Sequence, residues 1–257
     1  MLGLGGARRV LMDRVVEPAL RGGARAPPDT LLLYGAAGAG ETHLARGLAS
    51  ALNSKLLAVP AEALLAANGV GLLRAAVRVA RRTGPTMLLL VDADFAFGRC
   101  EAPEGSALQM RLRAKLLAQL DGALKAGATG GSNEPGAPPA DGGPYVLVVC
   151  VTPRPEALDA GLVHALHRQL LVPLPGVGER ADVLRRAWAA RGGAGLGAAQ
   201  AEALAWRTAG CSCGELVRAV HATPLPLTLA GLTAAVAAAK PSVPAADAAR
   251  LEAWSPL

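Results

Sequence analysis

The segment Gly35-Ala36-Ala37-Gly38-Ala39-Gly40-Glu41-Thr42 has the spacing of a loop that cradles phosphate, with one residue of the wrong sign. It follows the apolar run Thr30–Tyr34 and satisfies G-x-x-x-x-G-K-[ST] at every defined position except the lysine, where Glu41 stands. In such loops glycines let backbone N–H groups approach phosphate oxygens, the lysine neutralises the outer phosphates and the hydroxyl holds Mg²⁺. A carboxylate in the lysine's place meets those oxygens as a like charge. At ~4 Å and an effective dielectric near 20, each such pair costs roughly 4 kcal/mol. A second acid, Asp92, ends the apolar run Met87–Val91.

A phosphate loop needs a strand before it and a helix after it, and the chain supplies both. Thr30–Tyr34 reads as a short buried strand, and helical spacing predicts a helix over 42–52. Further strands are expected at Lys55–Val59, at Met87–Val91 and at Tyr145–Val151, the last two as continuous apolar runs of the parallel-sheet kind. Helices are predicted over 7–20, 62–82 and 106–124. The second of these carries Arg74, Arg78, Arg81 and Arg82 along one side, read as a solvated face. Residues 125–144 are Gly/Pro-rich and have the composition of a disordered insertion. From Gly176 onward only helices are expected, near 178–191, 198–208, 213–221, 228–239 and 244–254. Strands alternating with helices, then helices alone, predict an α/β domain over 1–175 and a small helical lid over 176–257.

Composition sets the outer bounds. Apolar residues make up 52% of 257 residues but aromatics only 3%, so Leu, Ala and Val must build the core. The net charge of +6 admits an acidic partner, yet the arginines are scattered and no aromatic interleaving accompanies them, so nucleic acid is not expected. Cys100, Cys150, Cys211 and Cys213 lack a disulfide framework. Cys211-Ser212-Cys213 with His221 lacks a fourth ligand, so no metal site is expected. No apolar run approaches the ~18 residues of a membrane span, and no signal-peptide core is evident. A soluble, reducing, cytoplasmic setting is the expectation.

Longer motifs carry a resemblance. GLGGARRVLMDRVVEPAL at the start is similar to the linker G-L-x-x-A-K-x-x-L-x-E-x-V-x-x-P, and LQMRLRAKLLAQLDG to R-x-K-x-E-L-L-x-Q-M-D-G. RPEALDAGLVHALHRQLLVPLPGVGERADVL follows R-P-x-x-L-D-x-A-L-x-R-R-x-x-x-R-I-x-V-P-L-P-x-x-x-x-R-x-x-I-L, and Lys240-Pro241-Ser242-Val243 through Trp254 resembles K-P-S-V-S-x-x-D-L-x-x-Y-x-x-W. In this order the motifs resemble the AAA-type ATPase module of the microtubule-severing branch (katanin, spastin, fidgetin). The resemblance implies a P-loop NTPase-type parallel sheet sandwiched by helices, with a small C-terminal helical lid. No amino-terminal microtubule-interacting domain is expected before it.

The resemblance also says which groups hydrolysis would need. The loop lysine is Glu41; the water-polarising glutamate after Asp92 is Ala93; the sensor asparagine of T-N-R-P is Pro153, between Thr152 and Arg154. The arginine-finger pair falls on His164 and Ala165, neither a permanent delocalised charge. The pore loop, about Ala66–Leu72, contains no aromatic residue. Gly35, Ala36, Ala37, Gly38, Ala39, Gly40, Glu41, Thr42 and Asp92 are therefore expected to form a degenerate nucleotide site without catalytic residues. No cofactor is expected, and Mg-bound ATP or ADP would bind weakly. The implied function is that of a pseudo-ATPase: a structural or scaffolding component of a larger assembly. Its partners would be microtubule or ciliary proteins or AAA paralogues, and its location the cytoplasm, cytoskeleton or cilium. The alternatives are a non-hydrolysing regulatory subunit of an AAA ring and a divergent ATP-binding ATPase.

Overall fold

A computed structural model describes residues 5–17, 30–99, 107–128 and 146–255, with side chains of the helix at 107–128 described between 110 and 122. The insertion expected at 125–144 and the strand residue Tyr145 lie largely or wholly outside these. By its internal contacts the chain divides into two compact units.

The larger unit comprises the described residues of Arg9–Tyr34, Ala45–Leu170 and Trp254–Leu257. Its centre is a sheet in the order β2-β3-β4-β1-β5, built from β1 (Thr30–Gly35), β2 (Lys55–Pro60), β3 (Thr86–Val91), β4 (Val146–Thr152) and β5 (Arg168–Val172). The pairings of β1 with β4, β2 with β3 and β3 with β4 are parallel, with Leu31 opposite Val149 and Leu88 opposite Val148. Leu31, Leu32, Leu33, Met87, Leu88, Leu89 and Leu90 are all essentially inaccessible to water. This is why the inner strands read as unbroken apolar runs: both faces are covered, so alternation disappears. The edge strands differ. β2 is largely exposed along its length, and β5, Arg168-Gln169-Leu170-Leu171-Val172, is half-buried until its last residue. No strand was expected at β5, because its sequence is neither a continuous apolar run nor a clean alternation.

Helices flank the sheet. The predicted helix over 62–82 is two elements: a single turn, α3 (Ala61–Leu64), and α4 (Gly69–Arg82). The break has a steric cause, since a Cβ at Gly69 would lie 1.7 Å from the Leu64 carbonyl oxygen. The first helix, α1 (Gly5–Leu11), widens into a π-helical turn over Met12–Val16. The remaining helices of this unit are α5 (Ala93–Phe97), α6 (Ala107–Ala128) and α7 (Ala160–Ala165). Trp254, from the carboxy-terminal motif, meets the Tyr34 ring edge-on, with centroids 4.7 Å apart.

The smaller unit contains Gly35–Leu44 and Leu171–Ala253, with the described residues of Met1–Arg8. The chain passes between the units within α2 (Glu41–Ala51). The unit is otherwise a bundle of α8 (Val177–Ala190), α9 (Ala198–Trp206), α10 (Cys213–Ala222), α11 (Leu229–Ala238) and α12 (Ala245–Ala253). Trp188 is the centre of its core, with Leu184, Leu204, Leu216, Leu232 and Val236. The indole Nε1 donates to the Ala194 carbonyl at 3.2 Å. Gly193 lies so close that a Cβ there would enter the Trp188 ring. The buried Arg180 guanidinium donates to the carbonyls of Pro175 and Ala205, so its charge is held by backbone dipoles.

Candidate functional site

Within the smaller unit, Gly35–Gly40 turns sharply from β1 into α2. Gly38 and Gly40 adopt φ of +79° and +120°, a region that side chains oppose, which accounts for glycine at both positions. The loop is closed by Ala39 N–H donating to the Ala36 carbonyl at 2.8 Å. Glu41 opens α2 and is buried, 7% exposed. Its carboxylate turns back into the loop: Oε2 accepts from Gly40 N–H at 3.1 Å, and Oε1 lies 2.9 Å from where a Cβ on Gly35 would stand. An N–H of the kind that would face a phosphate oxygen therefore faces a carboxylate supplied by the next residue. Thr42 is half-buried in the first turn of α2.

The other side of the loop rests on the lid helix α10. Gly214 N–H donates to the Gly38 carbonyl at 3.0 Å, and a Cβ on Gly38 would come within 3.1 Å of Ser212 Oγ. Ser212 and Glu215 form a reciprocal cap: Ser212 N–H donates to Glu215 Oε2 at 2.7 Å and Glu215 N–H to Ser212 Oγ at 3.3 Å. Glu215 Oε1 also accepts from Ser242 N–H at 2.6 Å, which ties the Lys240–Val243 motif to α10. Burial pushes the Glu215 carboxyl up, but the hydrogen bonds from Ser242 and Ser212 outweigh it and leave it below its ordinary value. Burial, with the charges of Glu179 and Glu41, pushes the Cys213 thiol up to about 11, so it is not a nucleophile at neutral pH.

Within the larger unit, the parallel pairing of β3 and β4 brings their carboxyl ends side by side. Asp92 follows β3 in a left-handed conformation, φ 55° and ψ 51°, one that Asp tolerates better than most residues. Its carboxyl is exposed at the surface, and partial desolvation, reinforced by the charges of Asp94 and Glu62, raises its pKa. Ala93 is fully buried.

Asp94 follows two residues after Asp92, too far along to share its place at the strand end by alternation alone. It lies instead on α5, where alternation does not apply, and its side chain is only 1% exposed. Asp94 Oδ1 accepts from Thr152 Oγ1 at 2.7 Å, and Oδ2 accepts from Arg154 Nε and Nη2 at 2.9 and 2.7 Å. Arg154 N–H donates in turn to Thr152 Oγ1, and its guanidinium lies 5.7 Å from the Phe95 ring centre. Thr152 is thus committed to this cluster. Sequence reasoning missed it, and the available signal was an acid two residues beyond Asp92 facing the Thr-x-Arg after the neighbouring strand.

The remaining positions are apart from these clusters. His164 is exposed near the end of α7, and Arg168 donates to the Arg14 carbonyl. Ala66, Ala67 and Asn68 are exposed between α3 and α4. Among the described residues no His/Cys/Asp/Glu group could hold a metal ion, and no helix is long and apolar enough to cross a membrane.

A strand–loop–helix phosphate turn on a five-stranded parallel sheet, followed by a helical bundle, defines a class, and comparison with known proteins identifies it. Residues 31–174 match the ATPase family associated with various cellular activities (AAA), more than half of the chain. Fidgetin-like protein 2 of Homo sapiens is 36% identical over 221 residues, 83% of this chain and 31% of that protein. Spastin of Drosophila virilis is 30% identical over 187 residues, 70% of this chain and 22% of that protein. The chain belongs to the AAA ATPase family, on the branch of fidgetin and spastin. It spans less than a third of the length of these curated relatives. Among solved structures, the FIGL-1 AAA domain in complex with ADP superposes with a TM-score of 0.78 at 23% identity, covering 98% of this chain and 87% of that one. A katanin structure concerned with self-assembly gives 0.72 at 20% identity, with 98% and 87% covered. At these identities the structural likeness speaks to the fold.

Proposed function

We propose that this chain is a non-hydrolysing AAA module that serves as a structural component of a protein assembly, one linked to microtubules as its branch of the family suggests. The observation that carries the reading is the Glu41 carboxylate seated against Gly40 N–H inside the phosphate loop. The residues do not suit a nucleotide: a phosphate entering the loop would displace this contact and meet a like charge. Ala93 adds a second deficit, because it leaves no carboxylate at the position that would polarise water. On this reading Gly35 to Thr42 and Asp92 are an inherited turn and strand end. The division of the protein into an α/β domain over 1–175 and a lid over 176–257 is retained as part of the proposal.

The test is phosphate release from ATP by the purified chain, together with titration of a fluorescent ADP analogue in the presence of Mg²⁺. The expected result is no turnover above buffer and no saturation in the micromolar range. Turnover by the unmodified chain would overturn the reading. A second reading, a regulatory subunit that binds nucleotide without hydrolysing it, is favoured by the positive-φ glycines of the loop and by the ADP named with the FIGL-1 structure. Micromolar saturation without turnover would select it.

A further inference from the structure

Helix α4, GVGLLRAAVRVARR, contains four arginines and no acid. Arg74, Arg78, Arg81 and Arg82 fall at i, i+4, i+7 and i+8, so they share one face, and all four are exposed. Like charges three and four residues apart on a helix repel each other, so this row works against the helix that bears it. The sequence reading took the row for a solvated face. The structure gives it a shape that a solvated face does not need. α4 packs beside α6, and the two form a groove of about 460 Å³ with Leu73 and Val77 in its wall, the arginines along one side and Gln119 and Gly122 on the other.

Two of the arginines are engaged within the protein: Arg74 Nε donates to Gln119 Oε1 at 3.1 Å, and Arg81 has an interaction of its own. Arg78 and Arg82 meet no carboxylate among the described residues. These two are one helical turn apart on the groove wall. The helix that continues the other wall adds Arg111 and Lys115, both exposed, at one-turn spacings before Gln119.

We propose that this groove docks an acidic polypeptide segment, one that presents Glu or Asp at about one-turn spacing with small apolar residues between. Guanidinium groups bind carboxylates in paired, directional hydrogen bonds, and neutralising Arg78 and Arg82 removes the repulsion along α4. The apolar wall of Leu73 and Val77 suits the methylenes of glutamate and an intervening aliphatic side chain. A nucleic acid fits the groove less well. No aromatic side chain lines it for base stacking, and the row from Arg74 to Arg82 spans only about 12 Å, short of the surface that nucleic-acid modules cover. The proposal rests on the reading of the chain as an assembly component only in supplying the kind of partner such a component needs.

The experiment is fluorescence anisotropy with a fluorescein-labelled 12-residue peptide carrying glutamate at every third or fourth position among alanine and leucine. The same peptide with every Glu replaced by Gln and a 12-nucleotide oligo-dT serve as comparisons. Arg78→Glu/Arg82→Glu should weaken binding of the acidic peptide at least 10-fold. Arg8→Glu/Arg9→Glu, an equal change of net charge at exposed sites outside the groove, should change it less than 2-fold. Should the reversed pair fold poorly by circular dichroism, Arg78→Gln/Arg82→Gln takes its place, with a loss of at least 5-fold expected. Equal weakening by both pairs would reduce the effect to net charge and overturn the proposal, as would equal binding of the Gln peptide, tighter binding of oligo-dT or no saturation. Phosphate release measured on the same preparation bears on the non-hydrolysing reading alone, so either idea can fail without the other.

Discussion

In the phosphate loop, the carboxylate of Glu41 accepts from an N–H one residue away; at the strand ends, the carboxylate of Asp94 takes its partners from Thr152 and Arg154, some 60 residues distant. The first arrangement is local and leaves the backbone of a nucleotide loop in place, with its positive-φ glycines and its helix. The second joins the ends of two strands through a buried carboxylate and a half-exposed guanidinium. Both regions meet the charges of an AAA site from within the chain, but they differ in what holds them. The loop's form is fixed by backbone geometry and close approach, so a side chain of the wrong sign can enter without rebuilding it. The strand-end cluster is held by side chains, so its stability depends on each member being present.

The largest effect should come from the loop. Glu41→Lys replaces a like charge by an attractive one on an unchanged backbone, and affinity for a fluorescent ADP analogue with Mg²⁺ should rise at least ~100-fold, about 2.7 kcal/mol. A loop that stays blind to the analogue after this substitution would show that shape, not charge, excludes it, and the comparison would collapse. Stability should move the other way round. Asp94→Ala leaves the buried Thr152 hydroxyl and the Arg154 guanidinium without their acceptor. Breaking a buried ion pair costs roughly 3–5 kcal/mol, and about 2 kcal/mol is expected here because half of Arg154 is in water. Urea unfolding of Asp94→Ala beside Glu41→Gln measures the contrast directly. Glutamine retains an acceptor for Gly40 N–H, so it should change stability by less than about 0.5 kcal/mol. Equal losses in the two variants would erase the distinction.

A loss smaller than that of Asp94→Ala is expected in the lid. The Glu215 pKa is depressed in the folded protein, so its contribution is present above the ordinary glutamate pKa of about 4.3 and is lost as pH falls through the folded value. Glu215→Gln should cost about 1 kcal/mol at pH 7, with the gap to the unmodified protein closing below about pH 4. A gap that stays constant across this range would mean that shape, and not ionisation, sets the role of Glu215.

Much of this architecture was legible because burial on two faces leaves a plain signature. The inner strands β1, β3 and β4 are apolar runs bounded by turn residues, and the lid helices lie within a residue or two of the expected ranges. The break between α3 and α4 was not legible, because it depends on how closely Gly69 approaches Leu64, a fact of packing and not of periodicity. β5 escaped because an edge strand has no need of continuous apolar character. For the site, the loop and its anomalous charge were plain in the residues, but the direction of the Glu41 side chain was not. The Asp94 cluster was not legible, because the chain turns into α5 directly after β3 and periodicity does not say where the Asp94 side chain then points.

Gly35 and Gly38 carry a consequence for how such loops keep their spacing. A Cβ on Gly35 would stand 2.4 Å from the Val172 carbonyl oxygen, and one on Gly38 would press on Ser212 at a φ that resists any side chain. A side chain at either position is therefore opposed by its neighbours whether or not a nucleotide ever enters. Packing alone is enough to hold the spacing of such a loop, so its lettering is a record of how the chain turns and not by itself of what it binds.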